Sequence, residues 1–129
     1  MPRKTFTAGD VLAAADVNTF LSNEITLTSS TATTFDVATA DRYKTIVMSG
    51  TANSTVTFGT ATAFQAGERV DIIQDGAGTV TITRDGTAVS LAGRGTAGTA
   101  YTIGQQYDAV SVVCVDTNAY RIIGNATAV

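Results

Sequence analysis

Histidine and tryptophan are absent from these 129 residues, and cysteine and proline occur once each. Without His the chain lacks the commonest general base and the commonest neutral metal ligand, so Ser-His-Asp and Cys-His systems are excluded. The lone Cys114 permits no intrachain disulfide and no usual zinc site. It lies in the apolar run from Ala109 to Val115, where a buried, inert thiol is expected. Aromatic residues make up only 7%, too few for an obvious sugar-stacking platform or a quaternary-ammonium cage. Met1-Pro2-Arg3-Lys4-Thr5 has neither the apolar stretch nor the cleavage site of a signal peptide, and no run approaches the roughly 20 apolar residues of a membrane span. Synthesis in a cytoplasm without secretion is expected. The net charge of −3 has the wrong sign for nucleic-acid phosphates or an anionic membrane, and neither is an expected partner.

What the chain does have is threonine, nearly one residue in five, with twelve glycines. A β-branched polar residue at that frequency marks half-exposed strands, methyl packed and hydroxyl shown. Helical spacing occurs once, over residues 13–21, where Val17, Phe20 and Leu21 fall on one face. From Glu24 onward the period is two. Ile25 and Leu27, Phe35 and Val37, Val56 and Phe58, Val70 and Ile72, Val80 and Ile82, Tyr101 and Ile103 alternate with polar neighbours. With the segments at 43–48, 89–91, 109–115 and 120–123, this predicts nine or ten short strands. Asp75-Gly76-Ala77-Gly78 and Arg84-Asp85-Gly86 read as tight hairpins with glycines at positive φ. Consecutive hairpins and too few helices for crossovers predict an all-β, jelly-roll-like antiparallel β-sandwich over residues 24–129. Residues 1–23 form a separate arm with a short helix.

No pattern of chemistry stands out. The acidic residues are spread over turns and strand faces without the spacing of a glycosidase pair. Asp75, Asp85, Asp108 and Asp116 lie near strand ends, but the alternating carboxylates of a calcium loop are missing, so turn formation explains them. Gly93-Arg94-Gly95-Thr96-Ala97-Gly98 lacks the Gly-Lys-Ser/Thr ending of a phosphate loop and reads as a flexible or inter-subunit loop. Tyr43, Tyr101, Tyr107 and Tyr120 are expected to pack in the sheets. No catalytic residue, metal ligand or cofactor is assigned.

Two stretches carry a resemblance. Thr5-Phe6-Thr7-Ala8-Gly9-Asp10-Val11-Leu12-Ala13-Ala14-Ala15-Asp16-Val17-Asn18-Thr19-Phe20-Leu21 resembles the opening segment of many bacteriophage structural and tail-associated proteins. Ala13 stands where that pattern usually has the Thr that would cap the helix, which leaves Asp10 as the capping candidate. The stretch from Phe64 to Ile82, with its Phe-x-x-Gly turn, strand ending in Gln74, Gly-x-Gly and Val-Thr-Ile, resembles a β module of phage fibres, tail appendages and capsid-surface proteins. Tyr120 takes the place of that module's usual Trp. Together the two cover about half the chain.

The resemblance implies a non-enzymatic virion structural protein, often trimeric, that contacts phage major capsid or tail proteins after synthesis in the host bacterial cytoplasm. Small size, a single domain and an acidic, threonine-rich surface favour decoration or reinforcement of the capsid. A tail or tail-fibre component, or a receptor- or sugar-binding module of the virion, is the alternative. Phe6, Leu12, Val17, Phe20 and Leu21 form a stripe that so short a helix must bury, either against one end of its own sandwich or, as expected here, by docking on a neighbouring subunit or the virion surface.

Overall fold

The computed structural model describes Thr5 and residues 7–11, 13–16 and 26–129. Six strands come first: β1 (Leu27–Ser30), β2 (Thr34–Asp36), β3 (Thr45–Met48), β4 (Ser54–Phe58), β5 (Arg69–Gln74) and β6 (Val80–Arg84). Six more follow: β7 (Ser90–Gly93), β8 (Thr96–Gly98), β9 (Ala100–Ile103), β10 (Ala109–Asp116), β11 (Ala119–Gly124) and β12 (Ala126–Ala128). They form a seven-stranded sheet in the order β1-β3-β5-β10-β11-β7-β8 and a five-stranded sheet in the order β12-β9-β6-β4-β2. The all-β sandwich expected from the alternation is present. One core joins the sheets, with Ile46, Ile72 and Val112 from one meeting Val56, Ile82 and Tyr101 from the other, all fully buried. Each such side chain contributes about 1.5–3 kcal/mol by leaving water.

The antiparallel jelly-roll pairing is corrected. Over the first six strands the chain alternates between sheets, so β1, β3 and β5 run parallel in one, and β2, β4 and β6 run parallel in the other. Parallel neighbours need a crossover. Here each crossover is a strand of the opposite sheet, which removes the need for helices. The result is three stacked coils, β1–β2, β3–β4 and β5–β6, with register running from Leu27 to Thr45 to Asp71 and from Thr34 to Thr55 to Thr81.

The glycines between β5 and β6 therefore have a different task from the one expected. The segment is no hairpin, and neither Gly76 nor Gly78 has positive φ. It lies directly on the turn of the coil below: Gly76 N–H donates to Met48 O at 3.0 Å and Gly78 N–H to Gly50 O at 3.2 Å. A Cβ at Gly76 would collide with the Gly50 carbonyl, and one at Gly78 with the Ala52 carbonyl. Close approach of two backbones, not a left-handed conformation, requires glycine there.

The last six strands close the stack mostly with antiparallel pairs, β5–β10, β10–β11, β6–β9, β9–β12 and β7–β8, while β7 lies parallel to β11. β8 occupies the Gly-rich segment read from sequence as a flexible loop, which instead forms the β7–β8 hairpin. At the other end of the chain, Ala14–Asp16 take helical backbone. These three residues do not make the amphipathic helix expected over 13–21, whose other members apart from Ala13 lie outside the described residues. Among the described residues no helix is long and apolar enough to cross a membrane.

The two outer faces differ. On the five-stranded sheet, Thr34, Thr55, Thr81, Thr102 and Thr127 stand in one cross-strand row. The seven-stranded sheet carries the rows Ser29–Val47–Ile73–Ala109 and Arg69–Val113–Arg121–Ala92–Ala97. Leu27 and Ile123 are 66% and 60% exposed on that side.

Candidate functional site

The expected docking residues Phe6, Leu12, Val17, Phe20 and Leu21 all lie outside the described residues. Their described neighbours Thr5, Thr7–Val11 and Ala13–Ala15 are exposed, Val11 at 85%. Local hydrogen bonding explains the shape of this stretch. The Asp10 carboxylate accepts the Thr7 backbone N–H at 2.8 Å and the Thr7 hydroxyl at 3.1 Å, while Asp10 N–H donates to Thr7 O. Asp10 thus ties a turn over Thr7–Asp10.

The sandwich places its reactive groups where chemistry is suppressed. Cys114 is a free, buried thiol whose Sγ donates toward Asp116 O at 3.1 Å and Phe64 O at 3.3 Å. Burial pushes its pKa up, and the Glu68 and Asp116 charges add to the rise against the opposing Asp116 backbone contact. A thiol held protonated is a poor nucleophile. Tyr120 packs against Phe58 at 5.1 Å and Phe64 at 6.1 Å between ring centroids. Its hydroxyl is buried without a hydrogen-bond partner; burial raises its pKa, and the nearby Phe64 backbone, short of hydrogen-bond geometry, opposes the rise only partly. Tyr101 is also core, whereas Tyr107 is 75% exposed, a departure from the expected sheet packing.

Glu68 is the organising residue that sequence reasoning missed. Its side chain is 5% exposed, Oε1 accepts the Gln65 N–H at 2.7 Å, and Oε2 pairs with Arg42 Nε at 3.3 Å. Gly67, at φ 91°, donates its N–H to Cys114 O in the same turn. One carboxylate therefore fixes the connection into β5, the segment before β3 and, through Gly67, the end of β10. The signal was present: an acid three residues after a turn's first free amide, the geometry of a cap.

The turn aspartates behave as turn chemistry requires. Asp116 accepts the Thr117 N–H at 2.7 Å and Asp108 accepts Asn125 Nδ2 at 2.9 Å. Asp36 and Asp85 share the rim of a cleft of about 190 Å³ with Thr57, Gly59 and Thr62. Among the described residues, no three acidic or sulfur ligands gather at one point. Neither a protein-family model nor a curated protein matches the chain.

Proposed function

We propose that this protein is a non-enzymatic structural component of a bacteriophage particle, which decorates the capsid as a trimer and attaches through its N-terminal arm. The phage-like opening segment motivates the reading, and one observation supports it: Thr5, Thr7–Val11 and Ala13–Ala15 are all exposed. An arm whose described part rests on nothing in its own sandwich is available to a neighbour. The rest of the molecule suits a building block. Its thiol and its core phenol are buried, which raises the pKa of both, and among the described residues β1 and β2 are edge strands, one in each sheet. Exposed edges invite pairing unless they are covered, and symmetric association covers them at low cost.

The experiment deletes residues 1–23, then measures melting of the free protein and its incorporation into particles. Docking predicts unchanged melting with lost incorporation. Unfolding of the free sandwich, or undiminished incorporation, overturns it. Labelling the intact protein on particles locates it on heads for capsid decoration; label confined to tails replaces that reading with a tail component. Mass photometry that finds only monomers at virion-like concentration sinks the trimer.

A further inference from the structure

The six basic residues within the sandwich divide unevenly. Arg42 pairs with Glu68, Lys44 with Asp41 and Arg69 with Asp71, while Arg84 donates to the Val89 carbonyl at 2.8 Å. Arg94 and Arg121 have no acidic partner among the described residues, and Arg121 spends one donor on its neighbour's carbonyl, Tyr120 O, at 3.1 Å. Both of these arginines line the same cleft, about 350 Å³, at the β7–β8–β11 corner. In an acidic chain, two uncompensated guanidinium groups at one depression need a physical reason.

The depression is open, and the sheet register shapes it. Arg121, Ala92 and Ala97 stand in one cross-strand row, so two methyl groups form a floor where larger side chains would fill the space. The β7–β8 turn raises Arg94 at its end, with Arg94 at φ 40° and Gly95 at φ 78°. Positive φ at both residues is what a two-residue hairpin loop requires, and it fixes the direction in which the turn leaves the sheet. Below the turn, the buried Tyr101 donates its hydroxyl to Thr96 O at 2.6 Å and pins β8 in place. Gly93 and Gly98 leave room for that ring, since a Cβ at either would press on it.

We infer that this corner binds the oxyanion of a small ligand, a carboxylate or phosphate carried on a body of about monosaccharide size. Arginine forks match such oxygens in paired, charge-assisted hydrogen bonds, and a volume of this size is at the lower end of ligand pockets. The alanine floor offers an apolar surface to the ligand's body, and the Thr96 segment a polar rim. This inference does not rest on the proposed virion role.

Calorimetric titration of the full chain with glucuronate, inorganic phosphate and glucose tests it. Glucuronate or phosphate should bind, more weakly as salt rises, and glucose should not. Arg121→Gln, and Arg94→Asn, which keeps a residue tolerant of the left-handed turn, should each weaken binding by about 10-fold or more, the loss of one charged hydrogen-bonding group. Phosphate alone binding identifies a phosphate site, and glucuronate alone a carboxylate site. Binding of neither, equal binding of glucose, or unchanged affinity in both variants overturns the inference. Circular dichroism of each variant separates lost binding from lost fold, and Arg121→Lys, which keeps the charge, should retain part of the affinity.

Discussion

The first six strands and the last six solve the same problem differently. β1 to β6 wind as three parallel coils, whereas most pairs made by β7 to β12 are antiparallel. In the antiparallel part, local hairpins such as Asp116-Thr117-Asn118 bring partners together, with Asn118 at φ 53° making the turn. In the coils no partner is adjacent in sequence. Register is held by turns that lie on one another, each fitting the backbone below. The coiled part therefore depends on a few close approaches, and the antiparallel part on turn conformation.

The sharpest break of that comparison is Gly78→Ala or Gly76→Ala. Each puts a methyl group into a backbone carbonyl of the turn beneath, with no flexible side chain to yield. A loss of about 3 kcal/mol or more is expected, from overpacking plus displaced ladder hydrogen bonds. Gly86→Ala is the control: its φ is 75° but the space is open, so the strain alone should cost about 1 kcal/mol. Denaturant melts that rank these two changes equally would contradict the stacked-turn account.

Glu68→Ala comes next, because it links the two parts through Arg42 and the turn that meets β10. Removing one partner of a buried pair and leaving the Gln65 amide without its acceptor should cost about 2–4 kcal/mol, moderated by the part-exposed Arg42. Glu68→Gln keeps an oxygen for that amide and should recover part of the loss. Equal melting of the two variants would show that the hydrogen bond to Gln65 contributes nothing.

Tyr120→Phe should have the smallest effect, with the opposite sign. It removes a buried hydroxyl that has no partner, so stability should stay level or rise by up to about 1 kcal/mol. The pH dependence follows from the same burial. The folded pKa values of Cys114 and Tyr120 lie above their ordinary 9.0 and 10.0. In that range the unfolded chain releases protons that the folded chain keeps, so their contribution is complete below pH 9.0 and falls as pH rises. Melting scans of Tyr120→Phe should show a shallower alkaline decline than the parent chain. Parallel declines would mean that the phenol plays no part.

Much of this was legible. The alternation at Val70 and Ile72, or at Val80 and Ile82, placed those strands and their buried faces correctly, because a period of two follows from the pleat alone. Pairing direction was not legible, since it depends on what stacks on what over unequal intervals, and Asp75-Gly76-Ala77-Gly78 looks the same as a hairpin or a coil corner. β8 and β12 escaped notice because Thr96-Ala97-Gly98 and Ala126-Thr127-Ala128 carry no large apolar side chain to betray a strand. The oxyanion cleft was hidden for the same reason: its floor is two alanines, and its two arginines are far apart in sequence. Glu68 was hidden among charges that most turns expose.

The unequal coils also bear on how such a body changes over generations. In the sheets the coil β3–β4 pairs with β1–β2 on one side and β5–β6 on the other, so a further turn of chain fits beside it wherever its strands fall into register and its corner carries a glycine. Duplicating one coil lengthens both sheets together without redesigning the residues already packed, and deleting one shortens them together. The height of the stack is then set by the number of coils, while the antiparallel closure stands as an end plate against β5 and β6.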